Sequence, residues 1–157
     1  MNSEPLRAYL AGHTVFAGFR DDQLDTLTAH ATEQAFPRGA ILFTQDQDAD
    51  SFFIVREGRI LVEIPSLYGP PLEVQTLGAD EVLGWSWLIP PYKWTFAAKA
   101  EQDSRVLVFD GKALLDRCEA NPEFGYALMK RFAGLMSERL HAARLKMMES
   151  WAAPGFA

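Results

Sequence analysis

The sequence is poor in the residues that build disulfides and metal centres. Among 157 residues it has one cysteine, Cys118, and three histidines, His13, His30 and His141. One cysteine cannot form a disulfide within the chain, which is the usual pattern of proteins kept in a reducing compartment. The histidines are scattered, and no pair has the spacing that two ligands need on one helix or strand. We therefore expect no disulfide and no metal or other cofactor.

Long apolar runs and an excess of basic charge are also missing. No apolar run approaches the ~18 residues of a membrane-spanning helix, and the first residues lack the basic and apolar segments of a signal peptide. The formal net charge is −6, whereas a nucleic-acid surface carries excess cations that displace the counterions of phosphates. The composition thus predicts a cytoplasmic protein that binds neither nucleic acid nor membranes.

The composition is that of a globular protein, and the residue pattern divides the chain into three successive segments. Apolar residues make up 48% and charged residues 23% of it, which is ordinary for a folded domain. A length of 157 residues suits one domain. We expect a single domain spanning residues 1–157, with N-terminal helices in residues 1–35, strands in residues 36–110 and helices in residues 111–151.

A helix is expected ahead of the strands. Asp21 or Asp22 suits its N-cap, and an apolar stripe at helical spacing runs from Leu24 to Ala31. The turn signal at residues 36–39, which contains proline and glycine, should end it.

Seven short runs rich in β-branched and aromatic residues follow, separated by Gly, Pro and Asp. They lie at residues 41–43, 52–55, 60–64, 72–77, 82–83, 96–100 and 106–109. Many short strands with turn residues between them are typical of a sandwich, a roll or a barrel. The middle of the chain is therefore expected to be mainly β.

Two helices are expected after the strands. Asp110 suits the N-cap of a short helix, and Asn121-Pro122-Glu123 suits the start of a long one that continues to about residue 151. Two neighbouring apolar stripes run along the long helix. The first comprises Met129, Phe132, Met136, Leu140, Ala143, Met147 and Trp151, and the second comprises Leu128, Leu135 and Leu145. One stripe can pack on the domain and the other on a second copy, giving a homodimer, or on a partner protein; the alternative is that both are buried within one subunit.

Five segments stand in an order that points to a family. They are residues 39–43 (GAILF), 49–55 (ADSFFIV), 58–62 (GRILV), 77–84 (LGADEVLG) and 106–110 (VLVFD). With the flanking helices, this order resembles the cyclic nucleotide-binding domain, the fold of the bacterial catabolite activator and of kinase regulatory subunits. The resemblance implies a mainly β fold with flanking helices. That fold is a jelly-roll-like double-stranded β-helix, or β-roll, with short N-terminal helices and a long C-terminal helix.

In that family a short phosphate-binding cassette carries the ligand chemistry. It usually has a Gly-Glu pair and, after a loop, an Arg followed by a small or hydroxyl residue. The resemblance implies that the Glu accepts a hydrogen bond from the ribose 2′-hydroxyl and that the Arg pairs with the cyclic phosphate. Backbone N–H groups at the start of a short helix supply the remaining phosphate contacts.

Here the corresponding residues 84–97 read GWSWLIPPYKWTFA. Gly84 keeps its place, Trp85 stands where the Glu is expected, and Trp94 stands where the Arg is expected. Thr95 keeps the hydroxyl position. A shift of one residue would bring Lys93 to the Arg position instead. A further departure lies outside the cassette, at residue 46, where an aspartate replaces the usual glycine.

These departures weaken the case for the usual ligand. An indole neither accepts a hydrogen bond from a hydroxyl nor neutralises a phosphate. Losing two hydrogen bonds to charged groups, each roughly 1.5–3 kcal/mol, would weaken binding roughly a hundred- to ten-thousandfold. We therefore expect a non-catalytic sensory or regulatory module that binds a small molecule, and not cyclic AMP or GMP in the usual mode. The candidate ligand-binding residues are Gly84, Trp85, Ser86, Trp87, Lys93, Trp94 and Thr95.

Two alternatives stay open. A cyclic-nucleotide receptor with a divergent cassette would use Lys93, Thr95 and the backbone N–H groups of Ser86 and Trp87. A ligand-free structural adaptor would have its former pocket filled by the indoles. The sequence alone does not separate these readings.

Catalysis and direct DNA binding are not expected. The segment around Ser86 resembles half of a nucleophile elbow, but the second glycine is absent and no His or carboxylate is evidently placed to serve the serine. Cys118 lies among core-spaced residues, which favours packing over redox chemistry. Six residues follow Trp151, too few for the recognition helix of the catabolite-activator relatives, so a transcription-factor role is not expected.

Overall fold

Two four-stranded antiparallel sheets form the centre of the structure, a computed structural model that describes residues 3–151. The strands are β1 (Ala31–Phe36), β2 (Ile41–Phe43), β3 (Ser51–Glu57), β4 (Ile60–Ile64), β5 (Leu72–Leu77), β6 (Val82–Leu83), β7 (Ala97–Ala100) and β8 (Ser104–Asp110). One sheet has the order β1-β8-β3-β6 and the other has the order β2-β7-β4-β5. The chain therefore crosses repeatedly between two facing sheets, which is the expected β-roll.

Four helices flank the roll within the described residues. They are α1 (Ser3–Gly12), α2 (Asp21–Ala29), α3 (Gly111–Ala120) and α4 (Pro122–Trp151), and two short 3₁₀ turns lie at Thr14–Phe16 and Ser86–Leu88. None of these helices combines the length and apolar content that a membrane crossing requires. The side chain of Trp151 and the tail 152–157, on which two of the expectations above depend, lie outside the described residues.

Alternation along the strands creates two separate apolar cores. In β3, Phe52 and Ile54 pack against the helices, whereas Phe53 and Val55 point into the roll. Successive side chains of a strand face opposite sides, so a strand with helices on one face and the second sheet on the other is apolar on both. We call the first core the helix-side core and the second the roll interior.

The helix starts follow from local capping. Asp110 accepts a hydrogen bond from the Ala113 N–H at 3.0 Å and caps α3. Asn121 accepts one from the Phe124 N–H at 3.2 Å, and α4 begins at Pro122. Both starts confirm the expectation, because a short polar side chain satisfies N–H groups that the first turn leaves unpaired.

The first expected helix differs from the structure at both ends. Arg20 occupies the N-cap of α2, and its backbone N–H donates to the Gln23 Oε1 at 2.9 Å. Asp21 and Asp22 lie in the first turn, where their charge complements the positive end of the helix dipole. The expectation that helical structure extends to residue 35 is wrong, because residues 31–36 form β1 and pair with β8. Cross-strand hydrogen bonding overrides the weak helical pattern of this segment.

Candidate functional site

The cassette segment connects β6 to β7 and makes a tight approach at Gly84. Gly84 has a φ of +100°, a conformation that side chains disfavour. A Cβ at this position would lie 2.8 Å from the Trp94 Cη2 atom. The glycine of the cassette therefore serves two purposes here, since it allows the turn and lets the Trp94 ring lie against the backbone.

Trp94 fills the position expected for the phosphate-binding arginine. Its side chain is only 4% exposed and belongs to the roll interior. The indole stacks on the Phe43 ring with centroids 3.8 Å apart and an angle of 12° between the planes. Aromatic pairs add roughly 0.5–1.5 kcal/mol to the burial of their rings. Trp94 is thus a packed wall of the site.

Trp87 has a different place, in the helix-side core. It is 1% exposed and lies between Phe52, at a centroid distance of 5.1 Å, and Phe132 of α4, at 5.4 Å. Its Nε1 atom is buried without a hydrogen-bond partner. Trp87 therefore anchors the cassette turn Ser86–Leu88 to the long helix and does not line a ligand groove.

Hydrogen bonds hold the end of the cassette to the β2–β3 loop. The Asp46 N–H donates to the Trp94 carbonyl at 2.8 Å, and the Trp94 N–H donates to the Gln47 carbonyl at 2.9 Å. Asp46 has a φ of +71°, a left-handed conformation that aspartate tolerates and that explains the usual glycine. The backbone pairing fixes Trp94, and not its neighbour, at the inward position.

Lys93 consequently points away from the interior. Its ammonium forms an ion pair with the Asp48 carboxylate, and that hydrogen bond lowers the pKa of Asp48. Lys93 lines a separate hollow of about 670 Å³ beside the β2–β3 loop. Thr95 is exposed.

A larger groove of about 960 Å³ lies between the cassette, the β4–β5 hairpin and the long helix. The sheet contributes Val62, Val74 and Thr76, the cassette contributes Gly84, Trp85, Ser86 and Trp94, and α4 contributes Met136, Arg139, Leu140 and Ala143. Its size and mainly apolar lining with a few polar groups are typical of small-molecule sites. This is the candidate ligand groove.

Arg139 is one of the two cations that line this groove. Its guanidinium lies 5.4 Å from the centroid of the Trp85 ring and donates a hydrogen bond to the Val82 carbonyl. Burial lowers the pKa of Arg139, while Glu81 and Glu138 raise it. The sequence pattern missed Arg139 because it stood among several basic residues that fit a solvated helix face.

The structure brings together only part of the predicted ligand-binding set. Gly84, Trp85, Ser86 and Trp94 line the groove, whereas Trp87, Lys93 and Thr95 are not among its lining residues. The sheet residues of the groove were not recognised, since nothing in an ordinary alternating strand distinguishes a groove floor from solvent-facing surface.

The side chains of the apolar stripe predicted on the long helix lie in three different environments. Phe132 is buried in the helix-side core. Met136, Leu140 and Ala143 line the groove. Met129 and Met147 are 52% and 59% exposed. Among the stripe's side chains that the structure describes, Met129 and Met147 are therefore the large, exposed ones that do not line the groove.

His13 and Cys118 have structural surroundings and no sign of a chemical role. The His13 ring lies between the Val15 N–H, 3.1 Å from its Nδ1, and the Asp80 carbonyl oxygen, 2.7 Å from its Nε2. Burial raises the pKa of the Cys118 thiol to about 11, and Glu119 adds to the shift. A thiol with that pKa is a poor nucleophile near neutral pH. Within residues 3–149, no three histidine, cysteine or carboxylate side chains lie together as a metal site.

A family model for the cyclic nucleotide-binding domain matches residues 33–121 of the chain. The match runs from β1 through the cassette to the end of α3. The chain belongs to the cyclic nucleotide-binding domain family. The domain's two sheets, its flanking helices and its long C-terminal helix are those that the resemblance implied.

Solved structures give the same fold for the domain. A protein of Geobacter metallireducens GS-15 assigned to the cyclic nucleotide-binding proteins is 29% identical, with 90% of this chain and 99% of that one covered and a TM-score of 0.77. The catabolite activator protein of Thermus thermophilus is 21% identical over 85% of this chain and 61% of its own, with a TM-score of 0.68. The regulatory domain of Toxoplasma gondii PKA, solved with cAMP, is 18% identical over 87% of this chain and 50% of its own, with a TM-score of 0.73. No curated protein matches the domain.

Proposed function

We propose that this domain is a non-catalytic regulatory module that binds a small molecule other than a cyclic nucleotide in the groove beneath α4. The observation that carries the proposal is the pairing of an open groove of about 960 Å³ with indoles at both positions of the usual charged contacts. Trp85 lines this groove in place of a hydrogen-bond acceptor, and Trp94 lines it in place of a cation. The site therefore offers apolar and aromatic surface where its relatives' cassette offers charge.

The surroundings of Lys93 weigh against a divergent cyclic-nucleotide receptor. To meet a phosphate in the groove, Lys93 would have to leave Asp48 and turn towards a groove that it does not line. The Trp94 backbone is held by hydrogen bonds on both its N–H and its carbonyl. A surface ion pair alone is worth about 0–1 kcal/mol, so the larger obstacle is the backbone rearrangement.

Titration with cyclic nucleotides and with a neutral dye tests the proposal. Followed by calorimetry and tryptophan emission, cyclic AMP, cyclic GMP and cyclic dinucleotides should give no response up to about 1 mM. The neutral dye Nile red should bind, and Thr76→Trp, which places a bulky ring at one of the groove's lining residues, should weaken its binding about tenfold or more.

Glu73→Trp on the same strand is the matched control, because Glu73 is exposed and is not among the groove's lining residues. It should leave dye binding unchanged. Micromolar binding of a cyclic nucleotide, or dye binding that Thr76→Trp leaves intact, would remove the proposal. In the first case the divergent receptor is the correct reading; in the second, the adaptor whose indoles fill the former pocket.

We also propose that the domain works as a homodimer paired through α4, with docking on a different protein as the alternative. Met129 and Met147 expose 52% and 59% of their surface, and because they are eighteen residues, or five helical turns, apart, they lie in a row on one face of α4. A row of large apolar side chains on one terminal helix is typical of a helix that pairs with another.

A further inference from the structure

Arg139 lies at the boundary between two grooves. It lines the candidate ligand groove and also a second groove of about 890 Å³, bounded by the 3₁₀ turn Thr14–Phe16 and α4. Its side chain is half-buried, unlike the exposed Arg144 on the same helix. A long charged side chain usually keeps its charged end in water, so this orientation towards the cassette indicates that the guanidinium has a partner there.

The contacts of Arg139 leave most of its hydrogen-bonding capacity unused. A guanidinium carries five N–H donors in a planar fork. Within the described residues its one hydrogen bond is to the Val82 carbonyl, and one face of the fork lies on the Trp85 ring. The side chain that carries the remaining donors lines the groove. Because burial opposes its charge, as the lowered pKa indicates, an anion beside it would be bound with little competition from water.

The groove next to the fork suits a flat ring. The indoles of Trp85 and Trp94 and the ring of Phe96 line it, together with the aliphatic Val62 and Val74. Aromatic surfaces bind other aromatic rings by offset or edge-to-face contacts. Three charged residues line the groove, Arg139, Lys146 and Glu149, while Glu81 and Glu138 act on Arg139 from the second groove.

Resting on the function proposed above, we propose that Arg139 recognises the acidic group of a small planar aromatic molecule whose ring lies in the groove against Trp85. The ligand class is an aromatic carboxylate, because the two parallel N–H groups of a guanidinium match the two oxygens of a carboxylate. The cation comes from α4 and not from the cassette. Binding such a ligand therefore joins the long helix to the cassette turn through one side chain.

Two probes that differ only in charge test the inference. Naphthalene-1-acetate is an aromatic carboxylate, and naphthalene-1-acetamide is its neutral counterpart. The wild type should bind the acid about ten- to a hundredfold more tightly than the amide, as expected for hydrogen bonds to a charged group. Calorimetry and quenching of tryptophan emission give both dissociation constants.

Substitution of the arginine should remove this preference. In Arg139→Gln the acid and the amide should bind equally, while Arg139→Lys should retain part of the preference because it keeps the charge and loses the fork. Arg144→Gln, which removes an exposed charge from the same helix, should keep the full preference. Nile red binding and the unfolding midpoint show whether each variant keeps the groove and the fold.

The possible results separate the two proposals. Equal binding of acid and amide by the wild type, no binding of either, or a preference that survives Arg139→Gln, would each overturn the role of Arg139. None of these results contradicts the proposal that the groove binds a small molecule, because Nile red is neutral and its response to Thr76→Trp is measured independently. Loss of the preference in Arg139→Gln but not in Arg144→Gln would support the inference.

Discussion

At the scale of single residues, the cassette owes its character to the exchange of charge for aromatic surface. A Glu and an Arg at residues 85 and 94 would each need a polar partner when buried. The indole of Trp94 instead stacks on Phe43 in the roll interior, and that of Trp85 lies under the guanidinium of Arg139. The same backbone positions thus support a different kind of recognition.

Gly84→Ala is expected to disturb both stability and the groove. The new Cβ would adopt an unfavourable positive φ and would also meet the Trp94 ring at 2.8 Å. We expect a loss of about 2–3 kcal/mol in the free energy of unfolding, measured by urea denaturation, and altered Nile red binding as Trp94 shifts.

Gly39→Ala provides the matched control for this prediction. Gly39 has a φ of +89°, close to that of Gly84, but nothing lies within 4 Å of its hypothetical Cβ. It should show the backbone cost alone, about 1–2 kcal/mol, with normal dye binding. If the two variants lost equal stability, the contact between Gly84 and Trp94 would have no energetic weight.

The sequence predicted the identity of the altered residues but not their surroundings. That Trp85 and Trp94 replace charged groups follows from the residue order alone. Whether each indole faces the interior depends on loop contacts such as that between the Asp46 N–H and the Trp94 carbonyl. These contacts join residues far apart in the chain, and no local pattern records them.

At the scale of elements, His13 fastens the N-terminal helix to the turn between β5 and β6. Since its Nδ1 accepts the Val15 N–H, its Nε2 carries the proton and donates to the Asp80 carbonyl. Tyr9 of α1 adds a hydrogen bond from its hydroxyl to the Asp80 carboxylate at 2.5 Å. Burial and this hydrogen bond raise the pKa of Tyr9. The α1 helix is therefore attached by polar contacts as well as by its apolar face.

Substitutions at His13 should separate its two roles. His13→Asn keeps a side-chain oxygen for the Val15 N–H and loses the contact with Asp80, so it should cost about 1 kcal/mol of unfolding free energy. His13→Ala loses both hydrogen bonds and should cost about 2–3 kcal/mol. Thermal and urea unfolding measure the difference.

The exposed His141 serves as the control, and His141→Ala should change stability by less than about 0.5 kcal/mol. Equal losses in His13→Asn and His13→Ala would mean that the link to Asp80, and not the cap, explains the effect of His13.

Elements with a strong period were predictable and one without it was not. The strands from β2 to β8 and both C-terminal helices have clear alternation or capping residues. By contrast, β1 reads ATEQAF, with one β-branched residue and a polar centre. It is a strand because β8 offers it a complete row of hydrogen-bonding partners. Since β8 lies far along the chain from β1, no local pattern in β1 records this pairing.

At the scale of the whole molecule, the proposed dimer gives a prediction of mass. Light scattering after size exclusion should give twice the 17.6 kDa of one chain. Met147→Glu places a charge on the exposed apolar row and should shift the molecule towards monomer, because burying an unpaired charge is costly. A wild type that stays monomeric at high concentration would contradict the homodimer.

His141→Glu is the matched control, since His141 is exposed and, six residues away at ~100° per residue, lies on a different side of α4. It should remain dimeric. Met147 does not line the groove, so Nile red binding should be unchanged in both variants, which separates assembly from ligand binding.

The family and the order of layers were predictable from sequence, whereas the groove was not. The fold follows from many weak local signals that agree with one another. The groove forms where a hairpin, a turn and the second half of a helix meet, and its lining residues range from Phe43 to Glu149. Such a surface depends on tertiary packing and has no continuous signature in the chain.

The length of α4 turns a small rotation at the cassette into a large movement at its far end. Phe132 is buried beside Trp87, and from there the helix continues to Trp151, a distance of roughly 28 Å at 1.5 Å per residue. If the helix pivots at Phe132, a tilt of about 10° moves its end by about 5 Å, a full turn's rise. A ligand that shifts Arg139, two turns beyond this pivot, would thus displace the end of α4 relative to a neighbouring molecule.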